Sequence, residues 1–186
     1  MATKNLSREQ LEDVMWKVTV LALGLDETRE EVQKRVRISW PTSETGNSNW
    51  KRDENVVFLR IVPGVDDYGN LHDRAYEPDR RTGDLIEVVT YHRCHSMTWV
   101  CYGPDADSDA ENIRIGILRE NVKQLLRCSS LAVLPHIPPA ARVPEPDETG
   151  EWWERCDLTA QFYELVRREY AAEEMLVAPN VITKTE

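Results

Sequence analysis

The sequence predicts a single α+β domain, and three observations carry that prediction. Residues 7–23 repeat apolar side chains at helical intervals. Residues 55–62 and 85–102 are apolar, β-branched or aromatic runs that lack that period. Residues 108–127, entered through an aspartate-rich turn, return to it. At 186 residues the chain is long enough for one sizeable core and short for two.

In the first helix, Ser7 and Gln10 stand at capping-box spacing, and Leu11, Val14, Met15, Val18 and Leu21 share a face. Gly24 is its stop signal. Residues 26–34 (DETREEVQK) form a short charged helical turn whose acidic start and basic end suit the helix dipole. These helices fill residues 1–34. The period then changes. Val36, Ile38 and Trp40 alternate with Arg37 and Ser39, a half-buried strand that Pro41 ends. Residues 41–54 read as a polar loop in which Trp50 is the side chain able to dock. Residues 55–62 (NVVFLRIV) are apolar on both faces, as a central strand is.

The longest irregular stretch, residues 63–84 (PGVDDYGNLHDRAYEPDRRTGD), reads as a projection between strands. It sets six acidic residues, Asp66, Asp67, Asp73, Glu77, Asp79 and Asp84, against three arginines, Arg74, Arg80 and Arg81. Residues 85–102 (LIEVVTYHRCHSMTWVCY) would span about 60 Å as one straight strand, so a bend, bulge or split near residues 92–95 is expected. Gly103-Pro104 ends the run. In the helix that follows, Ser108 and Glu111 have capping-box spacing, and Asp105, Asp107 and Asp109 favour the positive helix end. Ala110, Ile113, Ile115, Ile117, Leu118, Val122, Leu125 and Leu126 cover more than half its wheel, leaving Asn112, Arg119, Glu120, Lys123 and Arg127 polar. One sheet needs a narrower stripe. The helix is therefore expected to meet a second body, either another helix of the chain or a neighbouring subunit.

Residues 131–134 read as a short strand, and residues 135–150 as a proline-rich extended connection. Residues 151–170 fit two periods. Leu158, Phe162, Leu165 and Val166 suit a helix, whereas Trp152, Leu158, Ala160 and Phe162 share one face of a strand; the pattern slightly favours the helix. Val177 and residues 181–183 suffice for a short edge strand.

With 23 basic against 33 acidic residues the net charge is −10, which excludes a nucleic-acid binder held by phosphate contacts and favours a surface that repels DNA. The apolar run 18–25 is too short to cross a membrane and no secretory signal is read, so a cytoplasmic protein is expected. Cys94, Cys101, Cys128 and Cys156 form no CxxC and are expected to be reduced and mostly buried.

Chemistry is hard to place. His92, Cys94, His95 and Cys101 lie close in sequence. On a strand, however, the two cysteines face opposite sides and His95 stands about 20 Å from Cys101, so no zinc site is expected. There is no Gly-x-Ser-x-Gly, no Gly-x-Gly and no Gly-Lys. The four histidines have no evident carboxylate partner. Asp66, Asp67 and Asp73, with Asp84 and Glu87, could serve a metal-dependent nuclease, but Glu87 is followed by Val88 and Val89 instead of the usual Glu-x-Lys. Solvated loop acids are the plainer reading. No catalytic residue, metal site or cofactor is predicted. Of Trp152 and Trp153, one is expected in the core and one at a contact. Arg155 beside Asp157 reads as a solvated surface pair or an inter-subunit pair.

Five segments together carry a resemblance. They are residues 101–118 (CYGPDADSDAENIRIGIL), the preceding RCHSMTWV, residues 36–41 (VRISWP), residues 56–70 (VVFLRIVPGVDDYGN) and residues 142–163 (RVPEPDETGEWWERCDLTAQFY). In order and spacing, over residues 30–183, the chain resembles the neck or tail-terminator (tail-completion) proteins of tailed bacteriophages. The resemblance implies an α+β fold with a mixed, largely antiparallel sheet flanked by helices, in a subunit of a six-membered ring. Such a ring closes the head-proximal end of the tail tube and meets the head connector. It implies a structural virion protein, not an enzyme, made in the host cytoplasm. Its partners would be further copies of itself, the tail tube protein and the connector or neck proteins, with no membrane and with DNA only passing through. It makes residues 63–84 a loop toward the lumen or a neighbour, with Asp66, Asp67, Asp73, Arg74, Glu77, Asp79, Arg80 and Arg81 as candidate lumen-facing residues. It makes residues 155–163 a strand, against the periodicity. Trp152, Trp153, Arg155, Asp157, Arg119 and Lys123 are the candidate subunit or partner contacts. The alternatives are another head–tail joining or head-completion ring, and a small cytoplasmic enzyme using the acidic loop with a divalent metal.

Overall fold

The computed structural model describes residues 3–38, 50–66, 71–143, 145–146, 150 and 152–172. In chain order its elements are β1 (Thr3–Lys4), α1 (Arg8–Ala22), α2 (Glu30–Arg35), β2 (Val36–Ile38), β3 (Val56–Pro63), β4 (Asp73–Pro78) and β5 (Leu85–Tyr102). They continue with α3 (Ala106–Gly116), α4 (Glu120–Cys128), β6 (Leu131–Val133), β7 (Ala141–Arg142), β8 (Glu145–Pro146), β9 (Trp152–Trp153) and β10 (Arg155–Ala171). The class is α+β, with a mixed, mostly antiparallel open sheet.

Two long strands make its frame. β5 and β10 run antiparallel in one unbroken register from Arg155 opposite Tyr102 to Ala171 opposite Ile86. The split expected in β5 does not occur, because β10 matches its whole length. What changes near residues 92–95 is the neighbour on the other edge. There β3 pairs from Val56–Tyr102 to Pro63–His95, and β4 takes over from Asp73–Thr90 to Pro78–Leu85. β2 lies parallel to β3 at one edge of the sheet. Along the far edge of β10 lie β7, β6 and β1 in succession, and β8 with β9 forms a separate two-stranded ribbon.

β10 corrects the periodicity reading of residues 151–170 and agrees with the resemblance. Cys156, Leu158, Ala160, Phe162, Glu164 and Val166 are buried in strict alternation with more exposed neighbours. They join Val57, Leu59, Met97, Trp99 and Cys101 on the sheet face covered by Leu11, Met15 and Val18 of α1, Ala110 and Ile113 of α3, and Val122 and Leu126 of α4. The opposite face carries a smaller cluster of Val56, Phe58, Val100 and Tyr102, against which Trp50 and Trp153 dock.

The capping box at Ser7 and Gln10 is present, and Gly24 takes a positive φ of 68° past the end of α1. The single helix expected over residues 108–127 is instead two. The chain leaves the helical path at residues 117–119, with Arg119 extended at φ −67°, ψ 148°. Helix α3 also starts at Ala106 with Asp105 as its N-cap, ahead of Ser108, and the Asp105 carboxylate accepts from Asn55 Nδ2 (2.8 Å) instead of capping. The over-wide apolar arc arose from projecting two helices of different phase onto one wheel. The second body they meet is α1 of the same chain, while Ile115 and Leu118 at the elbow stay exposed.

That packing is tight at Gly116. A Cβ there would lie 2.6 Å from both the Cα and the carbonyl oxygen of Ala22. Gly116→Ala is therefore expected to cost about 1–3 kcal/mol. An unchanged denaturation midpoint would show that α1 and α3 yield freely.

Residues 73–78, expected to be irregular, form β4. Asp67, Trp40, residues 41–49, Val177 and residues 181–183 lie outside the described residues.

Candidate functional site

The main core takes nothing from β4, nothing from β5 before Met97 and nothing from β10 beyond Phe162. Beyond those points the three strands run on as an arm whose helix-side surface shows Tyr76, Leu85 and Tyr170 to solvent. The turn at its tip follows from its residues. Asp79 Oδ1 accepts the Arg81 N–H (2.8 Å), and Gly83 takes φ +78° while its N–H bonds to the Asp79 carbonyl (2.8 Å).

Most of the predicted loop residues come together on this arm. Asp73, Arg74 and Glu77 lie on β4, and Asp79, Arg80 and Arg81 in the turn. Asp66 lies at the base, beside the buried Cys94, whose thiol is pushed up by burial and by that carboxylate. The charges are interleaved and do not form an acidic cluster. Arg167 donates to Glu77 (3.0 Å) and to Glu169 (3.2 Å), and Arg74 faces Glu87 at 3.4 Å. A crevice of about 500 Å³ lies among Glu77, Asp79, Arg80, Arg81, Arg167 and Glu169.

The predicted contact residues are scattered. Trp153 is half-buried, its ring 5.8 Å from Trp50 and 6.1 Å from Tyr102, whereas Trp152 is 63% exposed. Arg155 holds Asp157 through two bonds of 2.8 and 2.7 Å along its own strand, with both side chains largely covered, and its guanidinium lies over Tyr102. The pair is thus intramolecular and half-buried. Arg119 is exposed at the start of α4, with Lys123 half-buried one turn on.

One site escaped the sequence reading. Glu164, fully buried, accepts from Leu6 N–H (2.7 Å), from Arg93 Nε (2.9 Å) and Nη2 (2.6 Å), and lies 2.8 Å from His95 Nε2. Burial pushes its pKa up, but the bonds from His95, Leu6 and Arg93 outweigh it and hold the pKa at about 2. His95 therefore does have a carboxylate partner. The partners are distant in sequence and meet only through the β5–β10 register. The available signal was a glutamate on the apolar row of β10, between Phe162 and Val166. A second buried acid, Asp109, accepts both Arg35 bonds at 2.8 and 3.0 Å, and burial raises its pKa.

Cys94, Cys101 and Cys156 are buried free thiols, and Cys128 is exposed. Burial raises the Cys101 thiol well above its ordinary value. Among the described residues no three His, Cys, Asp or Glu side chains are placed to share a metal ion, and no helix is long and apolar enough to cross a membrane.

No curated protein matches the sequence. The family described as phage neck terminator protein matches residues 9–186, from the first turn of α1 through both long strands. The chain belongs to the phage neck terminator protein family.

Proposed function

We propose that the chain is the subunit of a ring that closes the head-proximal end of the tail tube and joins it to the neck connector. The family supports a structural virion component that works with other neck and tail proteins. The observation that carries the ring reading is the arm. A three-stranded extension with exposed Tyr76, Leu85 and Tyr170 is covered by no helix among the described residues, and closed rings need unlike faces that meet neighbours. Its other surface sets the exposed Asp73 beside a Glu77–Arg167 pair, and the acid there would disfavour adhesion of DNA moving past it. The exposed Trp152 fits a contact with a tube or connector subunit.

Light scattering with negative-stain imaging tests the ring, with six subunits expected, either free or on isolated tail tubes. A protein that stays monomeric and leaves tubes bare would end this reading. Within it, neutralising Asp66, Asp67 and Asp73 to asparagine should slow DNA ejection. Ejection at the original rate would place the arm away from the DNA path.

A further inference from the structure

The arm has a free backbone edge. Asp79 N–H bonds to the Asp84 carbonyl (2.7 Å), and the β4–β5 register continues from there without a bulge. In an antiparallel ladder hydrogen-bonded pairs alternate, so Glu77, Ala75 and Asp73 bond to β5. The N–H groups of Arg74 and Tyr76, and the carbonyls of Arg74, Tyr76 and Pro78, therefore point away from the sheet. Among the described residues no strand pairs with that edge, and every β4 side chain except Glu77 is exposed. No bulge interrupts it, and Pro78, whose missing N–H falls on this edge, stands only at its last residue. Such an edge is a ready template for another strand.

The sequence holds a segment suited to it. Residues 173–186 (EEMLVAPNVITKTE) follow directly on β10, which ends at the arm tip with Ala171 opposite Ile86. Residues 181–183 are Val-Ile-Thr, strong strand formers that follow Pro-Asn. In a strand, Ile182 and Lys184 share one face and Val181 and Thr183 the other. On the free edge of β4 the two faces differ in the same way. One carries Ala75 between the exposed Asp73 and the half-buried Glu77, the latter bonded to Arg167, and the other carries Tyr76 and Arg74 beside Leu85 and Tyr170. Lys184 toward Asp73 sets Ile182 by Ala75, and Val181 and Thr183 over the tyrosine face.

We infer that residues 181–184 of a second copy of this chain add as a strand along the free edge of β4. The exchange links unlike surfaces of successive subunits, the heterologous contact that generates a ring. It rests on the ring reading proposed above.

The test uses the full-length chain with the exposed Cys128 replaced by serine, and two variants of it, Ala75→Cys and Ile182→Cys. Mixed and mildly oxidised, they should give a disulfide-linked heterodimer. If the mixture gives none and the doubly substituted chain closes on itself instead, the strand folds back within one chain and the exchange is wrong. Tyr76→Pro removes one outward N–H while leaving the bonds to β5. It should reduce ring yield at least tenfold with unchanged circular dichroism. Rings that form normally with Tyr76→Pro would overturn the exchange while leaving the ring reading intact. Failure of the unsubstituted chain to form rings would count against the ring reading itself.

Discussion

Glu164→Ala is expected to destabilise the protein by about 3–5 kcal/mol. It removes the acceptor of Arg93 and of the Leu6 N–H, and the partner of His95, from a site where Glu164 is fully buried. Arg93 is partly exposed and recovers some hydration, which points to the lower end of that range. The same group sets an acid limb. Its folded pKa of about 2 lies below the ordinary 4.5, so the stabilisation is complete above about pH 5 and is lost as pH falls through 2. The shift corresponds to about 3 kcal/mol near neutrality and roughly half of that at pH 3. Asp109 works in the opposite direction. Its pKa is raised by burial, so its contribution falls as pH rises through that value. Urea unfolding of the native chain and of Glu164→Gln at pH 7 and pH 3 is the check. The gap between them should roughly halve at the lower pH, and a constant gap would mean that the carboxylate charge does not hold the cluster.

Trp99→Ala is expected to cost a further about 3–5 kcal/mol, by the cavity it leaves under the helices. Trp99 is fully buried, with its ring 6.2 Å from Phe162, and its Nε1 donates to Thr19 Oγ1 at 2.8 Å. The Thr19 hydroxyl in turn donates to the Met15 carbonyl, also at 2.8 Å, so the indole ties β5 to the middle of α1. Trp99→Phe keeps most of the volume and loses this bond, and about 1–2 kcal/mol is expected for it. Chemical denaturation followed by circular dichroism separates the two variants. Equal losses would show that the hydrogen bond, and not the volume, dominates.

The elements that the sequence revealed are those whose signals are local. Ser7 and Gln10 close on each other within one turn, and the apolar row of α1 needs no distant partner to be seen. Residues 56–62 are mostly apolar on both faces because one face of β3 enters the main core and the other the cluster beneath Trp50 and Trp153, and that too is visible in seven letters. What escaped depends on distance along the chain. Leu158, Phe162, Leu165 and Val166 satisfy a helix as well as a strand, and only pairing with β5 settles the matter. The elbow at residues 117–119 follows from fitting α3 and α4 separately to α1. The Glu164 cluster exists because a register brings together residues 69 and 71 positions apart. The length and charge of residues 63–84 read as an irregular projection. That six of them form a strand was not legible, since Asp73, Arg74 and Glu77 give no apolar alternation.

The unbroken β5–β10 pair has a mechanical consequence. From Met97, where β5 enters the main core, to Leu85 at the tip is about 40 Å of strand. One end of this beam is clamped beneath three helices and the other carries no helix among the described residues, so it acts as a lever. A subunit that tilts by about 5° in its seat swings the tip by about 3 Å, the width of one strand residue. Small changes in the angle at which a subunit sits would thus reach the tip magnified, as sideways displacements of a few ångströms.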